Sequence, residues 1–417
     1  MRILVLNSGS SSVKFRVLDV DPQASPREIR PDRALIKGAV KGIGNTASFE
    51  CTVEEKPSPK ITRVIANHHQ AIRWLFEQLK QLDSADHDPA SLAGVEAVGH
   101  RVVHGGERFS QSIVISDEVM SEIDTLGELA PLHNPACLEG IRGVRAILGP
   151  QVPMVAVFDT AFHATIPSHA KVYALPYALA NRHHIRRYGF HGIAHASLVG
   201  SYFEKTGRPS TPSRLITVQL GNGCSISAVE DGRSVETSMG FTPLEGLVMG
   251  TRCGDLDPSI VSYLCQKEKV GPSEVERWLN EQSGLLGLSG RTNDMRELLQ
   301  AADREGHEPS QMAIDVFCYR TKKYIGAYLA VLGGADALIF GGGIGEAAPD
   351  IRRKICEGME WCGLRLDPSL NSKAVGLQPG DVTRISKDEQ SLEVYVGAAD
   401  EETWIARETV RCLEGTR

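Results

Sequence analysis

Hydrophobic positions along the chain gather into short dense runs separated by small and polar residues, and two of these runs are built alike. Ile3 to Leu6 leads through Gly9-Ser10-Ser11-Ser12 into Val13 to Val17; Leu215, Ile216, Val218 and Leu220 lead through Gly221-Asn222-Gly223 into Ser225 to Val229. Each pattern predicts a strand, a tight turn and a returning strand. Turns so poor in side chains let backbone N–H groups approach an anion closely, as phosphate-binding loops require. The two units lie about 210 residues apart. Either they are two unrelated tight hairpins, or their repetition marks a duplicated fold in which the two turns face one another across a cleft where a nucleotide's phosphates could sit.

The remaining pattern alternates helix and strand. Ile72, Leu75, Phe76 and Leu79 recur at helical spacing and predict a helix near 69–82. Val95 to Val103 reads as a strand running into His104-Gly105-Gly106, and Val155 to Phe158 as a short buried strand ending at Asp159. Ser116 is placed to cap a helix from Asp117, and Asn134 with Pro135 opens another, with His133 expected to fix the preceding loop. Residues 22–35 and Pro57 to Pro59 read as loops. Ile314, Phe317, Tyr324, Ile325 and Tyr328 predict a long helix, followed by a strand from Ala335 to Phe340 and a turn from Gly341 to Gly345. Leu392 to Val396 is the last strand and Glu401 to Leu413 the last helix. Such alternation belongs to an α/β protein.

Length changes this picture by calling for two domains, because 417 residues exceed one comfortable core. The polarity shift after Asp159, where HHIRRYGFHGIAH begins at His183, places a boundary near 160. A net charge of −7 disfavours nucleic acid or an acidic membrane as partner. Nine scattered cysteines without a C-x-x-C pair point away from a disulfide framework or structural zinc and toward a reducing cytoplasm. The N-terminal apolar run is too short for a signal peptide, and the apolar region Tyr324 to Ile344 is cut by Gly333-Gly334 and Asp336, so no membrane span is expected.

Several residues could carry chemistry. Arg101, in GHRVVHGGE, and Arg252, in GTRCGDLDP, sit beside small residues at the ends of apolar segments, where a guanidinium can hold an oxyanion, although a lone arginine is more often a solvated surface group. His191 stands between Phe190 and Gly192, and with His195 forms an i, i+4 pair lacking the Glu of a metalloprotease. Asp159 is either a metal-positioning carboxylate or a turn cap, and Glu401 favours a helix start on dipole grounds alone. The run Gly343 to Ala348 fits the dinucleotide pattern G-x-G-x-x-A, while no G-x-x-x-x-G-K-[ST] loop occurs.

Taken together, NSGSSSVKF, GHRVVHGGE, PLHNP, FDTAFH, YGFHG, LGNGCSI, TSMGFTPLEGLVMGTRCGDLDP, GGGIGE and DEETWIAR resemble, in order and approximate spacing, the motifs of the acetate and propionate kinase family. The resemblance spans nearly the whole chain. It implies the duplicated ribonuclease-H-like α/β fold of the sugar kinase, actin and heat-shock chaperone superfamily. One domain would comprise 1–159 plus 401–417, the other 160–400. The implied reaction is reversible transfer of the γ-phosphoryl of ATP to acetate, direct and in line, with Mg²⁺ or Mn²⁺, in a cytoplasmic homodimer. By position, the resemblance assigns Asn7 and Glu401 to the metal, and Ser10, Ser12 and Lys14 to the nucleotide phosphates. It assigns Gln219, Leu220, Gly221, Asn222 and Gly223 to the nucleotide as well. The adenosine side would fall at Asp294, Met295 and Arg296 and at Gly343, Ile344, Gly345, Glu346 and Ala347. Asp159 matches the catalytic carboxylate, Arg101 and Arg252 the arginines on acetate and phosphoryl, and His191 the transition-state stabiliser. Val103, Leu132, Phe190 and Pro243 match the acyl-methyl pocket, whose bulk favours acetate over longer acids.

Two positions depart from the family pattern. Gln219 stands where His is common and Ala347 where Asn is usual, both on the nucleotide side, so an altered nucleotide preference, extending to GTP or pyrophosphate, is expected. Three other readings stay open: a propionate or butyrate kinase, a non-catalytic ATP-driven clamp of the actin or chaperone type, and a nicotinamide-dependent oxidoreductase suggested by GGGIGE.

Overall fold

The apolar run at the start of the chain forms the middle of a sheet. The computed structural model describes residues 1–9, 11–21, 33–53, 56–83, 94–131, 133–387 and 391–415, and divides into two compact units, Met1–Phe162 with Asp400–Arg417, and His163–Ala399. In unit 1, β1 (Arg2–Ser8) is buried from Ile3 onward and pairs antiparallel with β2 (Ser12–Asp19). Val13, Phe15 and Val17 of β2 face the core while Lys14 is exposed, as a half-buried strand with a period of two requires. The antiparallel side continues through β3 (Arg33–Lys41), β4 (Asn45–Val53), β5 (Lys56–Pro57) and β6 (Ile61–Ile65). On the other side β7 (Ala97–Val102) lies parallel to β1. Beyond it, β8 (Ile113–Val114) forms the edge, antiparallel to β9 (Met154–Phe158), which is parallel to β7.

Unit 2 repeats this plan with β10 (Arg214–Leu220), β11 (Cys224–Glu230), β12 (Arg233–Thr237), β13 (Ala337–Gly341), β14 (Val382–Arg384) and β15 (Glu393–Gly397). Its order β12-β11-β10-β13-β15-β14 matches β3-β2-β1-β7-β9-β8 of unit 1, strand for strand and direction for direction. This is the duplication expected from the two hairpins, in the ribonuclease-H-like α/β architecture that the family resemblance implies.

Helices cover these sheets through apolar faces at helical spacing. In unit 1 the helix His68–Asp83 buries Ala71, Ile72, Leu75, Phe76 and Leu79, and packs against Asn134–Leu148, which buries Leu138, Ile141 and Val144. Ser116 caps the helix Asp117–Thr125 by accepting from the Val119 N–H at 3.2 Å. The last helix, Glu401–Glu414, returns to β1, β7 and β9 and buries Ile405, Ala406 and Val410. In unit 2, Gly192–Thr206 and Glu308–Leu332 pack against β10. Glu308–Leu332 stops at Gly333, whose φ of 65° ends the helix before β13. Among the described residues no helix is long and apolar enough to cross a membrane.

Some expectations are corrected. Residues 33–35 lie in β3, and Lys56–Pro57 pairs with β4 where a loop was expected; 22–32 lie outside the described residues. The run after Phe340 is not a simple turn: Gly341 ends β13 and Gly342, at φ 76°, starts the short helix Gly342–Ala347. His195 is a core histidine, its ring sharing hydrogen bonds with the hydroxyls of Thr217 (2.7 Å) and Ser225 (3.1 Å). His163 likewise donates to the Phe190 carbonyl (3.0 Å) and accepts from Ser234 (2.9 Å).

Burial pushes His163 down to about 3, holds His195 well below its ordinary value, and in unit 1 pushes His100 down to about 3. These histidines stay neutral in the fold but protonate near pH 6.5 once unfolded. Their contribution is therefore complete above about pH 6.5 and is lost as pH falls toward about 3, at ~1.4 kcal/mol per histidine per pH unit. Urea unfolding at pH 7.5, 6, 5 and 4 is expected to show a steep fall in midpoint below pH 6; a flat profile would contradict it.

Candidate active site

The chemistry of unit 1 gathers where three strands end. Asn7 is the penultimate residue of β1, Arg101 the penultimate residue of β7, Asp159 follows β9, and Glu401 opens the last helix. Arg101 donates from Nε to both oxygens of Asp159 (3.1 Å each) and from Nη2 to Oδ2 (2.6 Å). Its Nη1 donates to Asn7 Oδ1 (2.8 Å), and Asn7 Nδ2 donates to Glu401 Oε2 (3.2 Å). Asp159 is only 2% exposed and Arg101 17%. Burial opposes the charge on Arg101, but Asp159 and then Glu401 outweigh it and hold the guanidinium firmly protonated. Beside them, burial pushes the Cys137 thiol up to about 11, which leaves it unreactive.

Other unit 1 candidates surround this cluster unevenly. Lys14, opposite Asn7 in the hairpin, is exposed, and Ser12 receives the Gly9 N–H on its carbonyl at 2.8 Å. Val103 is buried beyond the end of β7. Ser10 and Leu132 lie outside the described residues. His133 makes no side-chain capping bond to the helix, and Asn134 ties the same loop to His104 by accepting from the His104 N–H (3.1 Å) and donating to the His104 carbonyl (3.0 Å). Asn134 was legible only as a helix start.

In unit 2 the hairpin tip is closed by the Gly221 N–H to the Gly223 carbonyl (3.1 Å). A Cβ on Gly223 would stand 2.9 Å from His191 Nε2 and 3.6 Å from Arg252 Nη1, so both side chains crowd the turn. His191 holds a left-handed backbone (φ 58°, ψ 22°) at the start of Gly192–Thr206 and does not cap it with its side chain. That strain in a non-glycine residue is typical of a functional position. Arg252 donates to the Pro243 carbonyl (3.3 Å) and, among the described residues, has no carboxylate partner. Burial lowers its pKa, opposed only by Cys224. A half-buried guanidinium with no carboxylate partner among the described residues, beside a turn nearly bare of side chains, can receive an anion.

Asn222 is exposed at the tip, and its Oδ1 accepts from Asn293 Nδ2 (2.9 Å), a contact that the sequence did not suggest. Leu220 and Phe190 are buried, and Pro243 is half-buried. Gln219 points its side chain toward Gly341 and Leu198, and its Oε1 is buried with no partner among the described residues. The adenosine-side candidates are less poised. Asp294 caps Met295–Glu305 and pairs with Arg296 (2.5 Å), which pushes the Asp294 carboxyl down to about 2, so these two charges serve each other. Met295 is a core residue. Gly343, Ile344, Gly345, Glu346 and Ala347 all lie in the short helix, where Glu346 accepts from the Gly342 N–H (3.0 Å). Fully buried Arg352 holds that helix by donating to the carbonyls of Gly345 (2.7 Å) and Glu346 (2.9 Å). Among the described residues no three His, Cys, Asp or Glu side chains cluster as an all-protein metal site.

A model of the acetokinase family matches residues 2–407. The chain belongs to the acetokinase family. An acetate kinase of Solibacter usitatus is 48% identical over 415 residues, covering 100% of this chain and 99% of that protein. Among solved structures, the acetate kinase of Porphyromonas gingivalis superposes with a TM-score of 0.88 at 38% identity, covering 99% of both chains. A propionate kinase of Francisella tularensis gives 0.86 at 39% identity, covering 98% of this chain and 99% of that one. An acetokinase is a kinase, so the chain is an enzyme. The nicotinamide reading of Gly343 to Ala348 falls with that result, as does a non-catalytic clamp.

The buried pair of unit 1 makes a stability test for this acetokinase. Arg101→Met strands Asp159 in the interior and is expected to cost about 3–5 kcal/mol, whereas Arg101→Met/Asp159→Leu recovers most of that loss. Urea unfolding of the two single variants and the double variant checks it; additive losses would refute the coupling.

Proposed function

We propose that the chain catalyses reversible, magnesium-dependent transfer of the γ-phosphoryl of ATP to acetate, giving acetyl phosphate and ADP, in the cytoplasm and as a homodimer. The acetokinase match over residues 2–407 carries the reaction, and the contrast between two buried arginines supports the roles within it. Arg101 is already neutralised by Asp159, so it can orient a carboxylate without trapping it. Arg252 has no such counter-charge among the described residues and is assigned to the phosphoryl group in flight, with His191 beside it. Acetate is ionised at neutral pH, so Asp159 organises Arg101 and acts on no acceptor proton. Val103, Leu132, Phe190 and Pro243 are assigned to the acetate methyl group. The nucleotide is assigned to Ser10, Ser12, Lys14, the 219–223 hairpin, Asp294 to Arg296 and 343–347.

Glu401 offers a carboxylate oxygen, the ligand type that magnesium takes together with phosphate oxygens and water, and Asn7, whose Nδ2 donates to Glu401 and whose Oδ1 accepts from Arg101, would hold that carboxylate toward the ion. When bound it would supply positive charge against the charge that develops on the nucleotide's phosphate oxygens. Transfer is direct and in line: positioning two anions and stabilising the equatorial oxygens supplies the rate enhancement, with no protein nucleophile.

Hydroxylamine trapping of acyl phosphate tests the reaction. Acetate with ATP and Mg²⁺ is expected to react fastest and propionate more slowly, since one methylene changes binding by only about 1–3 kcal/mol, and EDTA is expected to abolish turnover. Arg252→Ala should lower kcat by about 10²–10³-fold, while Arg101→Lys, which keeps the buried charge, should chiefly raise the KM for acetate. Absence of acyl phosphate from every short acid would sink the proposal, and a preference for propionate would favour the propionate kinase reading.

The dimer is supported by apolar side chains left in solvent on unit 2. Val172, Leu175, Tyr177 and Leu179 are exposed, Tyr177 by 84%, and Ser259–Glu268 has no buried residue although it carries Ile260 and Tyr263. Sedimentation is expected to give twice the mass of the 45.3 kDa chain, with Tyr177→Asp/Tyr263→Asp shifting it to monomer; a monomeric wild type would refute the assembly.

A further inference from the structure

A set of polar side chains in unit 2, outside the groups assigned above, surrounds the segment 240–246, which carries Pro243. At its start, the Tyr188 and Gly189 N–H groups donate to the Gly240 carbonyl (3.0 and 3.3 Å), and the Phe241 N–H donates to the Tyr173 hydroxyl (2.8 Å). At its end, the Gly246 N–H donates to Asp255 Oδ1 (2.9 Å), the Asp255 N–H returns to the Gly246 carbonyl (3.0 Å), and the Tyr324 hydroxyl donates to the same carboxylate (2.9 Å). Along its flank, Glu245 accepts from the Tyr173 hydroxyl and from Arg187 Nη2 (2.7 Å). Arg187 Nη1 meanwhile donates to the carbonyls of Thr237 (3.0 Å), Ser238 (3.2 Å) and Met239 (3.1 Å), just upstream. A Cβ on Gly240 would overlap both the Glu245 carboxylate and the Tyr173 hydroxyl, so the segment has no slack at that point.

We propose that Tyr173 and Glu245 are positioning residues that set which acyl chain is accepted. Neither is assigned to substrate. Tyr173 joins the two ends of one short arc, since its single hydroxyl accepts from Phe241 and donates to Glu245, two residues on either side of Pro243. The arc therefore cannot open at Pro243 without breaking one of these bonds. Pro243 is in turn tied to the guanidinium of Arg252 (3.3 Å), so a displaced arc also changes the distance between the apolar wall and the phosphoryl-binding charge. This inference rests on the assignment of Pro243 to the acyl pocket.

Steady-state kinetics of Tyr173→Phe and Glu245→Gln test it, with acetate, propionate and butyrate varied at saturating ATP, and ATP varied at saturating acetate. The wild type is assayed in parallel. Tyr173→Phe is expected to raise the KM for acetate about tenfold, the scale of one lost charge-assisted hydrogen bond, with kcat and the KM for ATP within about twofold. The ratio of kcat/KM for propionate to that for acetate is expected to rise at least about fivefold. Glu245→Gln, which can still accept from Tyr173, should show a smaller change of the same sign. An unchanged propionate-to-acetate ratio in folded Tyr173→Phe overturns the inference, as does an equal loss toward acetate and ATP, which marks general loosening. A wild type that makes no acyl phosphate fails the functional assignment instead, before either variant is compared.

Discussion

A guanidinium in the interior of unit 1 is tolerable only because Asp159, Asn7 and Glu401 reach it together. Desolvating Arg101 alone would cost several kcal/mol, so the ends of β1, β7 and β9 and the first turn of the last helix must all sit where their side chains can share that charge. The strand ends are not simply near one another; they are held to a common geometry by a bidentate pair and an amide relay. Unit 2 solves the opposite problem. Arg252 has no carboxylate partner among the described residues, and the cost of its partial burial is not offset there by an opposite charge.

The two sheets show how one framework carries these two solutions. Asn7 pairs with Lys14 across the first hairpin, and the register of β1 with β7 places Arg101 beside it. The corresponding residue in unit 2 is Gln219, which pairs with Ser225 across its hairpin and with Gly341 on β13. Gly341 therefore occupies the place of Arg101. Without a guanidinium to meet it, the Gln219 oxygen stays unpartnered, whereas the Asn7 oxygen is taken. Charge fills the strand ends of one unit, and bare backbone fills those of the other.

Much of this was legible because glycine turns between apolar runs are strong local signals, and both hairpins, the long helix and the last helix follow them. β4 was missed because its inward positions are Ala47, Phe49 and Cys51, two of them small, so its period of two hardly registers as apolar. The unit 1 cluster was readable as residue types, since Arg101 and Asp159 each end a strand, but their pairing across 58 positions was not. Least readable was the support of the 240–246 arc. Arg187 acts there largely through three backbone carbonyls, and carbonyls leave no mark on a sequence. Asp294 and Arg296 also have a local role that the sequence did not suggest, capping the helix Met295–Glu305 and pairing with each other.

Unit 1 is interrupted, for its first segment ends at Phe162 and its closing helix begins after Asp400. A ribosome therefore delivers the first sheet early and its last helix almost at the end, with the whole of the continuous second unit in between. Until then β1, β7 and β9 lack the side chains Ile405, Ala406 and Val410 that cover them, and Arg101 lacks one of its two carboxylates. The second unit has no such wait. Biosynthesis thus reverses the order of the domains: the half that emerges first is completed last, and its exposed sheet is the part of the nascent chain that most needs protection from aggregation.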